Sequence, residues 1–146
     1  MCWKTVVVLG SALALLAGCS GATAPDASNP PQAAVWPSAA ERTALPPNVS
    51  VGEAAALRDA GAFMLDVREP FEWAEYHMPG AALIPLGELP SRLSEVPRDR
   101  PVVVVCRSGN RSRAGRDILL RAGFAAVTSM DGGMRAWRNA GLPVTQ

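Results

Sequence analysis

From position 48 onward the chain alternates short apolar runs with amphipathic segments, the rhythm of an α/β domain. Residues 63–67 (FMLDV), 81–84 and 127–130 read as strands. Between them, 102–105 is four valines in a row. A continuous β-branched run without polar alternation predicts a central parallel strand buried on both faces. Ser50-Val51-Gly52-Glu53 reads as a capping box that opens a helix through Ala54, Ala55, Leu57 and Arg58 and stops near Gly61. A short helix is predicted over 70–75, and another over 86–95 that Pro90 must enter early or break. The segment 112–122 predicts a helix that can turn Ala114, Ile118 and Leu119, with Phe124 just beyond, toward the sheet before Gly123 ends it. A last helix is expected over 133–140, and no internal repeat is evident.

The first residues follow a different pattern. Lys4 supplies a positive start, and Thr5 to Ala17 is an apolar run of 13 residues ending in small residues before Cys19. These are the parts of a secretory signal. A membrane-spanning helix needs about 20 apolar residues, and Ser20, Gly21, Thr23 and Asp26 interrupt this run first. Leu16-Ala17-Gly18-Cys19 resembles the lipobox of bacterial lipoproteins, which implies a signal peptide over 1–18 and a lipidated Cys19 carrying the several acyl chains that stable anchoring requires. The expected location is a membrane-anchored lipoprotein facing the periplasm or cell exterior, with Ser20 favouring the outer membrane. Residues 19–47 are rich in Ala, Pro and Ser, with Pro25, Pro30, Pro31, Pro37, Pro46 and Pro47 breaking any period. They read as an extended tether, with Trp36 its one aromatic, and 48–146 as a single folded domain.

Charge and cysteine usage narrow the chemistry. The chain carries 14 basic and 13 acidic side chains, 49% hydrophobic and 5% aromatic positions. Nucleic acid binding is driven by clustered excess cations, so this balance gives no reason to expect it. Of three cysteines, Cys2 leaves with the signal and Cys19 is consumed by lipid, so Cys106 remains as the free thiol of the mature chain. A solitary thiol in an oxidising compartment is either inert or the chemistry itself. His77, the single histidine, cannot assemble a usual zinc site without spare cysteines. Neither metal nor cofactor is expected, and nothing demands more than a monomer.

Cys106-Arg107-Ser108-Gly109-Asn110-Arg111-Ser112 stands where the valine strand ends and a helix begins. In open α/β sheets ligands bind at that carboxyl edge, and small loop residues let backbone N–H groups form an anion nest. The positive end of the following helix adds to the same field. Flanking arginines join in favouring a thiolate, giving a nucleophile that needs no general base.

The stretch 48–143 resembles the rhodanese-like single-domain sulfurtransferases. The resemblance lies in Leu65-Asp66-Val67-Arg68-Glu69, in Glu72 through Tyr76-His77-Met78-Pro79-Gly80-Ala81, in the Cys106 loop, and in Met130-Asp131-Gly132-Gly133 with Ala136-Trp137 and Gly141-Leu142-Pro143. One departure is Tyr76, where the family usually has glycine before the histidine; a local change in that turn is expected. The resemblance implies a mostly parallel sheet flanked by helices, with the active loop at the end of the central strand. It implies a persulfide cycle on Cys106, with a small-molecule sulfur donor such as thiosulfate and a cyanide or thiol acceptor. It further implies a donor cradle of Arg107, Ser108, Gly109, Asn110 and Arg111, in which the two arginines bind the anionic donor and leaving sulfite.

Phosphatases and arsenate reductases that share the fold are a weaker alternative. The phosphatase loop between cysteine and arginine is one residue longer, whereas four residues separate Cys106 from Arg111. A non-catalytic sulfur- or anion-binding module is a second alternative, favoured when the cysteine is missing. Asp66 and Arg68 read as support tying loops together, His77 as orienting a turn, Trp137 as core, and Arg113 and Arg116 as solvated charge. Gly132 and Gly133 are expected to permit a tight turn near the active loop.

Overall fold

The computed structural model describes residues 45–146. The signal over 1–18, the lipidated Cys19, Trp36 and the tether up to residue 44 lie outside the described residues. Among the described residues no helix is long and apolar enough to cross a membrane.

The elements run β1 (Asn48–Val49), α1 (Val51–Asp59), β2 (Phe63–Asp66), α2 (Pro70–Glu75), β3 (Ala82–Leu83), β4 (Val102–Val105), α3 (Asn110–Arg121), β5 (Val127–Met130) and α4 (Gly133–Asn139). The strands form one sheet in the order β1-β5-β4-β2-β3, and every neighbouring pair is parallel. The valine strand β4 is therefore central, between β2 and β5. Strand residues alternate faces. Val102 and Val104 join Leu65, Leu89, Leu119 and Phe124 on one side, while Val103 and Val105 join Met64, Ala54, Met134 and Trp137 on the other. A core on both faces leaves β4 no position for a polar side chain.

Local chemistry starts α1 as expected. The Ser50 hydroxyl accepts from the Glu53 N–H at 3.3 Å, and the Glu53 carboxylate accepts the Ser50 N–H at 2.7 Å. The expected helix over 86–95 is instead two single 3-10 turns, Leu89–Ser91 and Leu93–Glu95. Pro90 lacks the N–H that an α-helix needs and its ring obstructs the preceding turn. The bonds formed here, such as Arg92 N–H to Leu89 carbonyl at 3.1 Å, close three-residue turns.

Helix α3 begins at Asn110, two residues earlier than the sequence predicts, because Gly109 adopts φ +102 and turns the loop directly into the helix. Its buried positions are Ser112, Gly115 and Leu119; Ala114 is exposed, contrary to expectation. Gly115 decides this, since a Cβ there would stand 3.1 Å from Val104 Cγ1 and 3.4 Å from Val67 Cγ1. The missing side chain lets α3 pack close to the sheet through that face. The strand expected over 81–84 is confined to Ala82–Leu83; it starts late because the Ala81 N–H closes a turn onto the Met78 carbonyl, while the Ile84 N–H still reaches the Asp66 carbonyl at 3.0 Å.

Strand β1 has no counterpart in the apolar pattern. It forms because β5 offers an open edge. The Pro47 carbonyl accepts the Ser129 N–H at 3.1 Å, and the Pro46 carbonyl accepts the Thr128 hydroxyl at 2.7 Å. Prolines serve at such an edge because only their carbonyls are required. Arg116, expected to be a solvated charge, instead donates to the Pro47 carbonyl at 2.8 Å and to Asn48 Oδ1 at 3.0 Å, holding this edge to α3.

Candidate active site

Cys106 follows the last valine of β4 and is 1% exposed. Its Sγ accepts the Gly109 N–H at 3.1 Å and lies 3.7 Å from Ser112 Oγ. The Ser112 hydroxyl donates to the Gly109 carbonyl at 2.9 Å, fixing the loop's return into α3. The loop is therefore wound around its own sulfur.

Its peptide planes are set by α4. The Met134 N–H donates to the Cys106 carbonyl at 2.7 Å and the Arg135 N–H to the Arg107 carbonyl at 3.1 Å. In a planar trans peptide the carbonyl and the next N–H point opposite ways. The N–H groups of Arg107 and Ser108 consequently face away from α4. Among the described residues no protein acceptor meets the N–H groups of Arg107, Ser108, Asn110, Arg111 or Ser112. The result is one N–H on the sulfur and further N–H groups of the same loop without protein acceptors, where a 12-residue helix begins.

This close approach depends on Gly133, at φ +59. A Cβ there would collide with the Cys106 carbonyl oxygen and stand 2.6 Å from Arg107 C and Ser108 N. The tight turn expected at Gly132-Gly133 is thus the piece that lets α4 reach the loop.

A buried ion pair braces the neighbouring strand end. Arg68 bonds Asp66 through Nε and Nη2, the latter at 2.7 Å, with the side chains 1% and 0% exposed. The same guanidinium donates to the carbonyls of Glu72 at 3.2 Å and Tyr76 at 2.9 Å. It therefore ties the end of β2 to the middle of α2 and to the residue that follows it. Tyr76 itself is extended (φ −172), a conformation any residue adopts, and its ring lies under the guanidinia of Arg68 and Arg138. His77 stacks on Trp73 at 3.9 Å, its Nδ1 lies 3.1 Å from the Trp73 carbonyl, and its backbone pairs with Thr145. Trp137 is fully buried, with its indole N–H donating to the Pro143 carbonyl at 2.9 Å.

The two loop arginines differ. Arg107 is exposed. Arg111 places both terminal nitrogens on the Glu72 carboxylate, each at 2.7 Å. The Arg111 guanidinium holds the Glu72 carboxyl below its usual range, while burial opposes the shift; the Arg111 pKa is correspondingly raised, chiefly by Glu72. The sequence marks Glu72 only as the start of a motif. Its link to a loop 39 residues away leaves no local signal. Arg113, half exposed, lies 3.7 Å from Asp131. Among the described residues no cluster of three or more His, Cys, Asp or Glu side chains could hold a metal ion.

A parallel α/β sheet with one cysteine in a loop at the end of its central strand, its sulfur accepting a loop N–H, defines a class of single-thiol α/β domains. The Rhodanese-like domain model matches residues 50–140, and the chain belongs to that family. It is similar to a sulfurtransferase of Allochromatium vinosum, with 41% identity over 81 residues, 56% of this chain and 76% of that protein. It is also similar to the thiosulfate sulfurtransferase GlpE of Pseudomonas fluorescens, with 40% identity over 86 residues, 59% of this chain and 79% of that one. The crystal structure of a rhodanese-related protein from Thermoplasma volcanium superposes with a TM-score of 0.63 at 30% identity, covering 67% of this chain and 96% of that chain.

Proposed function

We propose that the protein is a sulfurtransferase that carries sulfane sulfur on Cys106, taking it from a donor such as thiosulfate and passing it to cyanide or a thiol. The observation that carries this reading is the Cys106 sulfur enclosed by its own loop, with the Gly109 N–H on it and further N–H groups left without protein acceptors. Relatives named as sulfurtransferases support the same reading.

In the first half-cycle the Cys106 thiolate attacks the outer sulfur of thiosulfate. The donor's S–S bond breaks, sulfite leaves with the bonding pair, and Cys–S–S⁻ remains. In the second, cyanide or a thiolate attacks the terminal sulfur, and the Cys106 sulfur leaves with the bonding pair as thiolate. Neither half requires a proton or a cofactor. The loop N–H groups suit an anionic sulfur in both states, being fixed dipoles that need no reorganisation during reaction. Exposed Arg107 meets the incoming anion, and Ser108, Gly109, Asn110 and Arg111 contribute through the loop backbone.

Intact mass of the purified full-length chain after incubation with thiosulfate tests this directly. One added sulfur is expected, absent from Cys106→Ser and discharged by cyanide with release of thiocyanate. No adduct from thiosulfate, mercaptopyruvate or a protein persulfide sinks the reading.

The second part of the proposal is export and anchoring through a lipidated Cys19, supported by the Leu16-Ala17-Gly18-Cys19 pattern. Radiolabelled palmitate should enter the wild-type chain in a bacterial host and not Cys19→Ser; equal labelling of both removes the anchor.

A further inference from the structure

We infer that Glu72 is a specificity-determining residue of the Cys106 loop, favouring sulfane-sulfur donors that carry one negative charge over the dianion thiosulfate. This rests on the sulfur-transfer reading above and names the donor class for the same site.

Three features carry it. The Glu72 carboxylate already occupies both terminal nitrogens of Arg111, so the cation that the loop's spacing offers to an anion is matched by an opposite charge. The carboxylate is also held in place. Its side chain is 6% exposed against 32% for Arg111, and its Oε2 accepts the Glu69 N–H at 3.1 Å. An incoming anion must therefore be accommodated beside Glu72 rather than in its place. The loop's other arginine, Arg107, is exposed and has no charged or hydrogen-bonding partner among the described residues. One unmatched cation and a set of backbone dipoles suit a monoanion; a second negative charge meets the Glu72 carboxylate without a further cation on the loop to offset it.

A matched pair of donors isolates the charge. Methanethiosulfonate presents the same sulfane sulfur on a sulfonyl group as thiosulfate, with a methyl in place of one charged oxygen. In each case the Cys106 thiolate takes the outer sulfur, and methanesulfinate or sulfite departs with the bonding pair. The full-length wild type should show the higher kcat/KM for sulfur loading with methanethiosulfonate. Glu72→Gln, which keeps the shape and an acceptor for Glu69, should shift the donor ratio toward thiosulfate on the order of tenfold. Glu72→Asp keeps the charge and should retain the wild-type preference.

Alkylation of Cys106 supplies a readout that needs no sulfur transfer. The rate with anionic iodoacetate relative to neutral iodoacetamide should rise in Glu72→Gln and stay near wild type in Glu72→Asp. An unchanged alkylation ratio, an unchanged donor ratio in Glu72→Gln, or an equal shift in both variants overturns the inference. If neither donor loads sulfur on the wild type while the alkylation ratio still rises, the sulfur-transfer reading and the donor class fall together, and the control of loop charge by Glu72 stands.

Discussion

Gly133 stands so close to Cys106 that a single methyl at its α-carbon would overlap the cysteine's carbonyl oxygen. The geometry of the Cys106 loop is thus set from outside it, by the turn that delivers the N–H groups of Met134 and Arg135 onto the carbonyls of Cys106 and Arg107. Gly133→Ala should push α4 off the loop and also strain a backbone at φ +59. The expected loss is about 2 to 4 kcal/mol of stability, with sulfur loading reduced further than the fraction unfolded explains. Urea unfolding and the mass assay on the same sample separate the two effects.

The Asp66–Arg68 pair is almost fully buried, so removing one partner leaves a charge with no water to solvate it. Arg68→Ala should cost about 3 to 5 kcal/mol. It also strips the donors from the Glu72 and Tyr76 carbonyls, so hydrogen exchange should quicken first in α2. Exchange confined to other elements would contradict the bracing role.

Arg107 and Arg111 should separate by stability as well as by kinetics. Arg107→Ala removes an exposed side chain and should change stability by no more than about 0.5 kcal/mol while raising KM for an anionic donor. Arg111→Ala leaves the buried Glu72 carboxylate without its partner and should lose about 1 to 3 kcal/mol. Equal thermal shifts in the two variants would contradict the assignment.

The Glu72–Arg111 contact also predicts a pH dependence. Arg111 holds the Glu72 carboxyl below its ordinary 4.5 in the folded state, so the pair's stabilisation is fully present above that value. It is lost as pH falls through the depressed folded value. The stability difference between wild type and Glu72→Gln should therefore be constant from neutral pH down to about 5 and shrink below it. Chemical denaturation at a series of pH values checks this; a gap that widens on acidification reverses the sign.

Packing of α3 gives the last prediction. The Cβ position of Gly115 faces Val104 at 3.1 Å, a gap with little room for a larger group. Gly115→Val should overpack this contact and cost about 1 to 3 kcal/mol. The thermal midpoint of the variant is the measurement.

The unbroken run of valines announced a strand buried on both faces, and Ser50 with Glu53 announced the start of α1, because period and capping are set by residues within a few positions of one another. The Cys106 loop was legible for the same reason, its thiol, arginines and small residues being contiguous. What lay beyond reach were partnerships between segments distant in sequence: Glu72 with Arg111, Met134 and Arg135 with the loop carbonyls, and the proline edge with β5. Even the buried face of α3 turned on a tertiary contact, since glycine carries no apolar signal yet Gly115 sits nearest the sheet. The amino-acid order by itself determined the buried valine strand, the start of α1 and the place of Cys106 at the strand's end. The tertiary structure decided which way the loop's dipoles point and which loop arginine is paired with a carboxylate, because parallel strands are joined by crossovers and their ends become neighbours only once the whole sheet is assembled.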